Sequence, residues 1–304
     1  MSFDLFFCCK EAKALDFERV ADWSERYPYF SRTAKGQLFY ENRDTGVYFS
    51  LDGSREDATD PEDSPIPAGF ADVGLAFNLN FNRPSYFAYE AMPIVEDLAK
   101  EFSLLIVDPQ GDSPLPQECN ATRLIREWSA SNESAIRYLS EQADFNGTFL
   151  YMPQADSLNF WRYMSGKSEL QSKLGDDVFM PRLVLVQRVG STRVQTALVW
   201  TPGIPMVVPK HDWAAIVRER KRGRLGRAKK ETGYISSSTL MRSVGAHLED
   251  FDRVTGLRIL RAAKAAQVGR VLESVPLEHK KAEFKGVAPD GFVDVELPVT
   301  RPAQ

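Results

Sequence analysis

Alternating apolar and polar positions predict a first strand at Ser2–Cys8, with Phe3, Leu5 and Phe7 on one side. Asp16 then caps a helix that carries Phe17, Val20, Ala21 and Trp23 along one side and stops at Pro28. Between Gly36 and Leu51, Leu38 and Tyr40 alternate with Phe39, and Val47, Phe49 and Leu51 alternate with Tyr48 and Ser50. Asn42, Asp44 and Gly46 lie between these runs and tolerate turn geometry, so the stretch reads as a hairpin. Gly74–Asn82 is the clearest strand: Leu75, Phe77, Leu79 and Phe81 face one way, and Ala76, Asn78, Asn80 and Asn82 the other. A helical pattern over Phe87–Phe102 contains Pro93, which lacks an amide hydrogen and predicts a restart or a kink. Leu104–Val107 is a short apolar strand that ends at Asp108-Pro109. Strand, helix, hairpin, strand, helix, strand is the order of a ferredoxin-like α+β sandwich with one added strand, assigned to residues 1–110.

Pro109–Glu118 suits neither helix nor strand, and the domain boundary is placed there. A second α+β domain, residues 119–304, opens with helices and continues into a mostly antiparallel sheet. Thr122–Ala143 is helical around a polar break at Ser129–Ser134, which predicts two helices at an angle, and Leu158–Leu174 is another helix stopped by Gly175. Strands follow at Leu183–Val189, Val194–Trp200, Met206–Val208 and Ala214–Val217, and a basic loop comes next. Ser236–Ser238 opens a helix with Leu240, Val244, Leu248 and Phe251 on one stripe. A short strand near Leu257–Leu260, a helix over Ala262–Ser274 and an extended piece at Phe292–Leu297 complete the pattern.

Composition narrows the setting. A chain of 304 residues buries a core without staples, and Cys8, Cys9 and Cys119 form no C-x-x-C pair and leave an odd thiol. That usage suits a reducing compartment. Met1–Cys9 carries Asp4 and offers only Leu5, Phe6 and Phe7 ahead of Cys8, too little for a secretory signal, and no run approaches the ~18 apolar residues of a spanning helix. A cytoplasmic protein without a membrane partner is expected. The sequons at Asn120, Asn132 and Asn146 then carry no meaning.

A net charge of −4 gives no global pull toward nucleic acid, yet the charge is uneven. Glu56, Asp57, Asp60, Glu62 and Asp63 crowd a Pro-rich loop between Asp52 and Pro67, whereas Arg218–Lys230 is basic. The acidic run can lie against a basic cleft, competing with phosphate and speeding association. Its other reading is a solvated loop. The basic run lacks interleaved aromatics before Tyr234, so nucleic-acid binding is the lesser alternative.

Candidate catalytic strings are few. Asp44-Thr45-Gly46 matches the aspartic-protease triplet, but Asn42 and Arg43 precede it where an apolar lead is usual, and a turn is the preferred reading. His211 beside Asp212 could be an oriented base, although a surface turn is preferred; His247 reads as structural and His279 as solvated. No His or Cys pair has metal-ligand spacing, and no Gly-rich phosphate loop or nucleophile elbow is present, so neither cofactor, metal nor enzymatic activity is expected.

Met1–Phe7, the hairpin Phe39–Ser50 and Trp200-Thr201-Pro202-Gly203-Ile204-Pro205 together resemble bacterial immunity proteins encoded beside antibacterial toxins, including those delivered by type VI secretion. The resemblance covers most of the chain and carries no catalytic residues. It implies an inhibitor that occludes one cognate toxin, most often a nuclease. The expected contact residues are Glu56, Asp57, Asp60, Glu62 and Asp63, with the hairpin aromatics Tyr40 and Tyr48 second. An undetected enzyme using Asp44 or His211 is the alternative from another class.

Overall fold

A computed structural model describes residues 1–11, 15–33, 36–53, 65–111, 113, 115–142, 148–221, 228–252 and 255–296, with the side chains of residues 220–221 and 228–229 left aside. The architecture is α+β and falls into two units: Met1–Thr148 joined by Val293–Gln304, and Phe149–Phe292.

The first unit contains β1 (Ser2–Cys9), α1 (Phe17–Ser24), β2 (Phe30–Arg32), β3 (Gln37–Asn42), β4 (Val47–Asp52), β5 (Ala71–Asn80), α2 (Tyr86–Phe102), β6 (Leu105–Val107), β7 (Gln117–Glu118) and α3 (Ala121–Glu141). Its seven strands lie in the order β2-β3-β4-β5-β1-β6-β7, with every neighbouring pair antiparallel. Register sets Phe3 opposite Leu79 and Leu5 opposite Phe77, so the apolar positions of the two central strands share a face. That face is buried and meets the helices. Trp23 of α1 packs on Phe30, which meets Tyr40 and Phe49 edge-on. Asp97 of α2 accepts from Trp23 Nε1 at 3.1 Å and from Tyr27 Oη at 2.8 Å, tying the two helices.

Glu90 of α2 fastens the hairpin. Its Oε1 accepts from Tyr40 Oη at 2.8 Å, Asn42 Nδ2 at 2.7 Å and Thr45 Oγ1 at 3.1 Å. Tyr40, Asn42 and Thr45 are all buried, so their donors have little recourse to water. Glu90→Gln keeps the volume but weakens three bonds to a charged acceptor, and urea unfolding is expected to show a loss of about 2 kcal/mol.

Pro93 sits inside a helix that runs unbroken from Tyr86 to Phe102, where the pattern predicted a restart or kink. The buried residues on both sides of it, Ala91, Met92, Ile94 and Val95, hold the helix in place. The N-terminus of α2 gets no capping bond from Ser85 itself. Asp294 supplies it: Oδ1 and Oδ2 accept from the Ser85 amide at 2.8 and 3.0 Å, and Oδ2 also accepts from its hydroxyl at 2.7 Å.

The boundary differs from the one expected at Pro109–Glu118, because α3 belongs to the first unit. α3 is also one helix, not two. Its polar break is a contact: Asn132 is 1% exposed, accepts from the Asn82 amide at 2.7 Å and donates to the Arg83 carbonyl at 2.9 Å. Asn82 sits at φ 61, and the side chain from α3 serves the backbone of that strained turn.

The second unit contains α4 (Gln154–Ser165), α5 (Lys167–Leu174), β8 (Leu183–Arg188), β9 (Val194–Trp200), β10 (Met206–Val208), β11 (Trp213–Lys221), β12 (Ala228–Ser236), α6 (Ser237–Val244), β13 (Glu249–Asp252), β14 (Leu257–Leu260), α7 (Ala262–Ser274), β15 (His279–Lys280) and β16 (Phe284–Val287). One sheet has the order β15-β12-β11-β9-β8-β16 and a smaller one β10-β14-β13. Only β9 and β11 pair in parallel among the described strands, in keeping with the expected mostly antiparallel sheet.

Two expectations fail here for local reasons. The helix opened by Ser236 ends at Val244, and Phe251 lies 39% exposed on strand β13 because the chain leaves the helical stripe at Gly245. The basic stretch is no simple loop, since β11 and β12 pair from Trp213–Ser236 out to Lys221–Ala228.

Ion-bearing side chains finish the helix ends. Glu278 accepts from the Ser236 amide at 2.9 Å and from the Ser236 and Thr239 hydroxyls at the start of α6. Arg218 closes the end of α7. Its Nη1 lies 2.9, 2.9 and 2.8 Å from the carbonyls of Leu272, Glu273 and Val275, and its Nε donates to Glu231 at 2.9 Å.

Candidate functional site

The face of the first sheet opposite the helices is set by strand alternation and register. Asp4 stands opposite Asn78, Ser50 also opposite Asn78, Phe39 opposite Ser50 and Glu41 opposite Tyr48. These residues are half-buried, apart from the exposed Glu41. Phe39 and Tyr48 stack with centroids 6.1 Å apart, and Arg83 donates to Tyr48 Oη through Nε and Nη2 at 3.0 and 2.6 Å. Asp4 is held by Asn78 Nδ2 and the Ser2 hydroxyl. The surface therefore presents a held carboxylate, Asp4, on β1 and, across β5, the stacked aromatic pair on β3 and β4. At one end Ile66 and Phe70 close over Cys8, Phe6, Val107 and Leu105, so the polar stripe is bounded by an apolar cluster.

Of the expected contact residues, Glu56, Asp57, Asp60, Glu62 and Asp63 lie outside the described residues. The strand that leads into their segment ends at Asp52, on the same face as Tyr48. Tyr48 is half-buried, with its ring edge-on to Phe87 of α2 at 5.7 Å and its Oη bonded by Arg83. Tyr40 is not an accessible aromatic. It is 3% exposed, points to the helix side and bonds Glu90, because residues 38, 40 and 42 share the buried parity of β3. Phe39, one residue away, takes the accessible place.

Asp44-Thr45-Gly46 forms the hairpin turn. The Asp44 amide donates to Asn42 Oδ1 at 3.0 Å, the Val47 amide to Thr45 Oγ1 at 3.3 Å, and Gly46 adopts φ 76. Arg218, assigned to a basic surface by its neighbours in sequence, is 6% exposed and consumed by α7. Residues 222–227 of that stretch lie outside the described residues.

His211 departs most from expectation. It is 6% exposed, not on a surface turn, since Val207 and Val208 before it and Ala214–Ile216 after it are core residues. Its Nδ1 lies 2.7 Å from the Pro209 carbonyl, which can only accept, so the proton is on Nδ1 and Nε2 holds a lone pair. Nε2 is buried without a hydrogen-bond partner among the described residues. The flanking Asp212 is engaged by β9, where its Oδ2 accepts from the Thr196 amide at 2.8 Å and hydroxyl at 3.0 Å. His211 borders a surface pocket of about 360 Å³ and a void of about 20 Å³. The apolar flanks of His211 were the available signal for its burial.

Burial pushes the His211 imidazole below its ordinary pKa of 6.5, outweighing the Pro209 bond and the Asp212 charge. Above pH 6.5 both folded and unfolded chains keep it neutral, and its contribution to stability is whole. As pH falls below 6.5 the unfolded chain takes the proton first, so stability declines by up to about 1.4 kcal/mol per pH unit until the folded value is reached. Urea midpoints between pH 7 and 5 should fall less steeply in His211→Gln than in the wild type; parallel slopes would remove His211 as the cause.

Among the described residues no cluster of three His, Cys, Asp or Glu could hold a metal, and no helix is long and apolar enough to cross a membrane. Comparison with family models, with curated proteins and with solved structures finds no match to this chain.

Proposed function

We propose that this chain is an immunity protein that binds a cognate antibacterial toxin, a cytoplasmic nuclease of the type VI class, and occludes its active site. The observation that carries the reading is the open face of the first sheet, where Glu41 and Asp52 neighbour the Phe39–Tyr48 stack and Asp4 lies on the same face two strands beyond that of Tyr48. A nuclease must gather phosphate in a basic cleft, and a rigid carboxylate-bearing face with an aromatic anchor is complementary to it in charge and in kind. In sequence, the acidic run Glu56, Asp57, Asp60, Glu62 and Asp63 follows a few residues after Asp52. The first unit is read as ferredoxin-like: the order β6-β1-β5-β4 supports it, with α2 linking two strands across β1 and with β2 and β3 added at an edge.

Co-expression with the toxin encoded beside its gene tests the reading. Protection of the host and a co-purifying complex are expected. Reversal of Glu41, Asp52, Glu56, Asp57, Asp60, Glu62 and Asp63 should slow association at least about tenfold at low salt while leaving folding intact. The absence of both protection and a complex would overturn it.

A further inference from the structure

Strand β16 ends the larger sheet of the second unit, and its pairing with β8 fixes which backbone groups it leaves over. The Val189 amide donates to the Glu283 carbonyl at 2.9 Å, so residue 283 turns toward β8, and residues 285 and 287 follow by alternation. Residues 284 and 286 turn the other way. The Phe284 amide agrees with this parity, because it is spent on the Lys281 carbonyl and not on β8. What remains on the outer side is the Phe284 carbonyl and both backbone groups of Gly286, and no strand among the described residues pairs with them. An unpaired strand edge is a template for another strand.

Gly286 points to the same conclusion. Its φ lies outside the left-handed region, and a Cβ built on it would meet nothing within 4 Å, so neither a turn nor crowding within this chain calls for glycine. The ladder with β8 runs through it without a shift, which excludes a bulge. Glycine weakens a strand, and inside one it marks the close approach of another backbone or a ligand. Gly286 is exposed and stands opposite Val186, on the face that also carries the 38%-exposed Val184. An added strand with a large side chain opposite Gly286 would cover this bare backbone.

Charge selects the occupant. β8 and β16 carry Arg188 and Lys285, both exposed, and no carboxylate. Glu283, just ahead of β16, is engaged by the Lys280 amide at 2.7 Å and by His279 at 2.9 Å. A second copy pairing antiparallel through the same edge would bring Lys285 close to its own counterpart, and like charges across a pair are destabilising. An acidic strand meets the opposite condition.

We propose that the outer edge of β16 binds an extended acidic peptide of another protein as an added antiparallel strand. One peptide residue exchanges both backbone bonds with Gly286, and the carboxylate of the next lies opposite Lys285.

The test uses the full chain and the blocked peptide acetyl-Thr-Val-Tyr-Glu-Val-Thr-amide, which sets tyrosine opposite Gly286 and glutamate opposite Lys285. The amide resonances of Lys285 and Gly286 should shift saturably, with a Kd below about 1 mM. N-methylation of the tyrosine amide removes its bond to the Gly286 carbonyl and should abolish the shifts. Lysine in place of glutamate should weaken binding about threefold or more. Gly286→Pro deletes the outward amide without removing a bond to β8, so this variant should fold and fail to bind. Lys285→Glu should reverse the preference between the glutamate and lysine peptides, a readout that does not depend on the proline variant. No binding at about 1 mM peptide, equal binding of the N-methylated or lysine form, an unchanged preference in Lys285→Glu, or self-association of the chain through β16 would overturn the proposal.

Discussion

Arg218→Ala is expected to destabilise the second unit by about 4 kcal/mol. The side chain is 4% exposed, and its loss strips the Leu272, Glu273 and Val275 carbonyls of a charged donor where α7 ends. It also removes the ion pair with Glu231. Helix C-termini concentrate negative potential, so a cation there stabilises beyond its bonds, and removing one partner of a buried pair costs about 3–5 kcal/mol. The observable is a fall of roughly 10 °C in the melting temperature for a unit of this size. Arg218→Lys should recover little, since an ammonium cannot reach several carbonyls and a carboxylate with a planar fork. A loss under 1 kcal/mol in urea titration would show that the carbonyls find water instead.

Asp294→Ala is expected to cost the first unit about 3 kcal/mol. The carboxylate is 7% exposed and takes both the amide and the hydroxyl of Ser85 at the positive end of α2. Without it, no side chain of the helix's own N-cap serves that end. Asp294→Asn keeps the shape but not the charge, and should fall between wild type and alanine. Hydrogen exchange supplies the sharper readout: amides in the first turns of α2 should exchange faster in Asp294→Ala, whereas those of the second unit should not change. Uniform acceleration over the whole chain would indicate a different role.

Legibility in the sequence followed the range of the force involved. The opening strand, the Asp16 cap, the hairpin and the helix over Ala262–Ser274 were all readable, because periodicity and capping act within a few residues. Asn132 was not readable. A buried asparagine inside a helix looks like a break until the Asn82–Arg83 backbone it serves is in place. The same holds for Arg218, whose basic neighbours hid a partner more than fifty residues away. Tyr40 and Phe39 differ by one position in a strand, and only knowledge of which face meets the helices separates anchor from core. For His211 the local polarity of Lys210 and Asp212 outweighed the apolar flanks that in fact govern its burial.

The contact between Ser85 and Asp294 spans 209 residues, with the second unit lying entirely between its partners. A ribosome adding about 5–20 residues per second takes roughly 10–40 s to travel from one to the other. Throughout that interval the nascent first unit exists with α2 unclosed, and the second unit completes its own strands before the last clasp can shut. Chains that stop before Asp294 thus carry a looser first unit that proteases can open, while chains that reach it can lock it. The clasp thus makes the stability of the first unit depend on synthesis having passed the whole of the second.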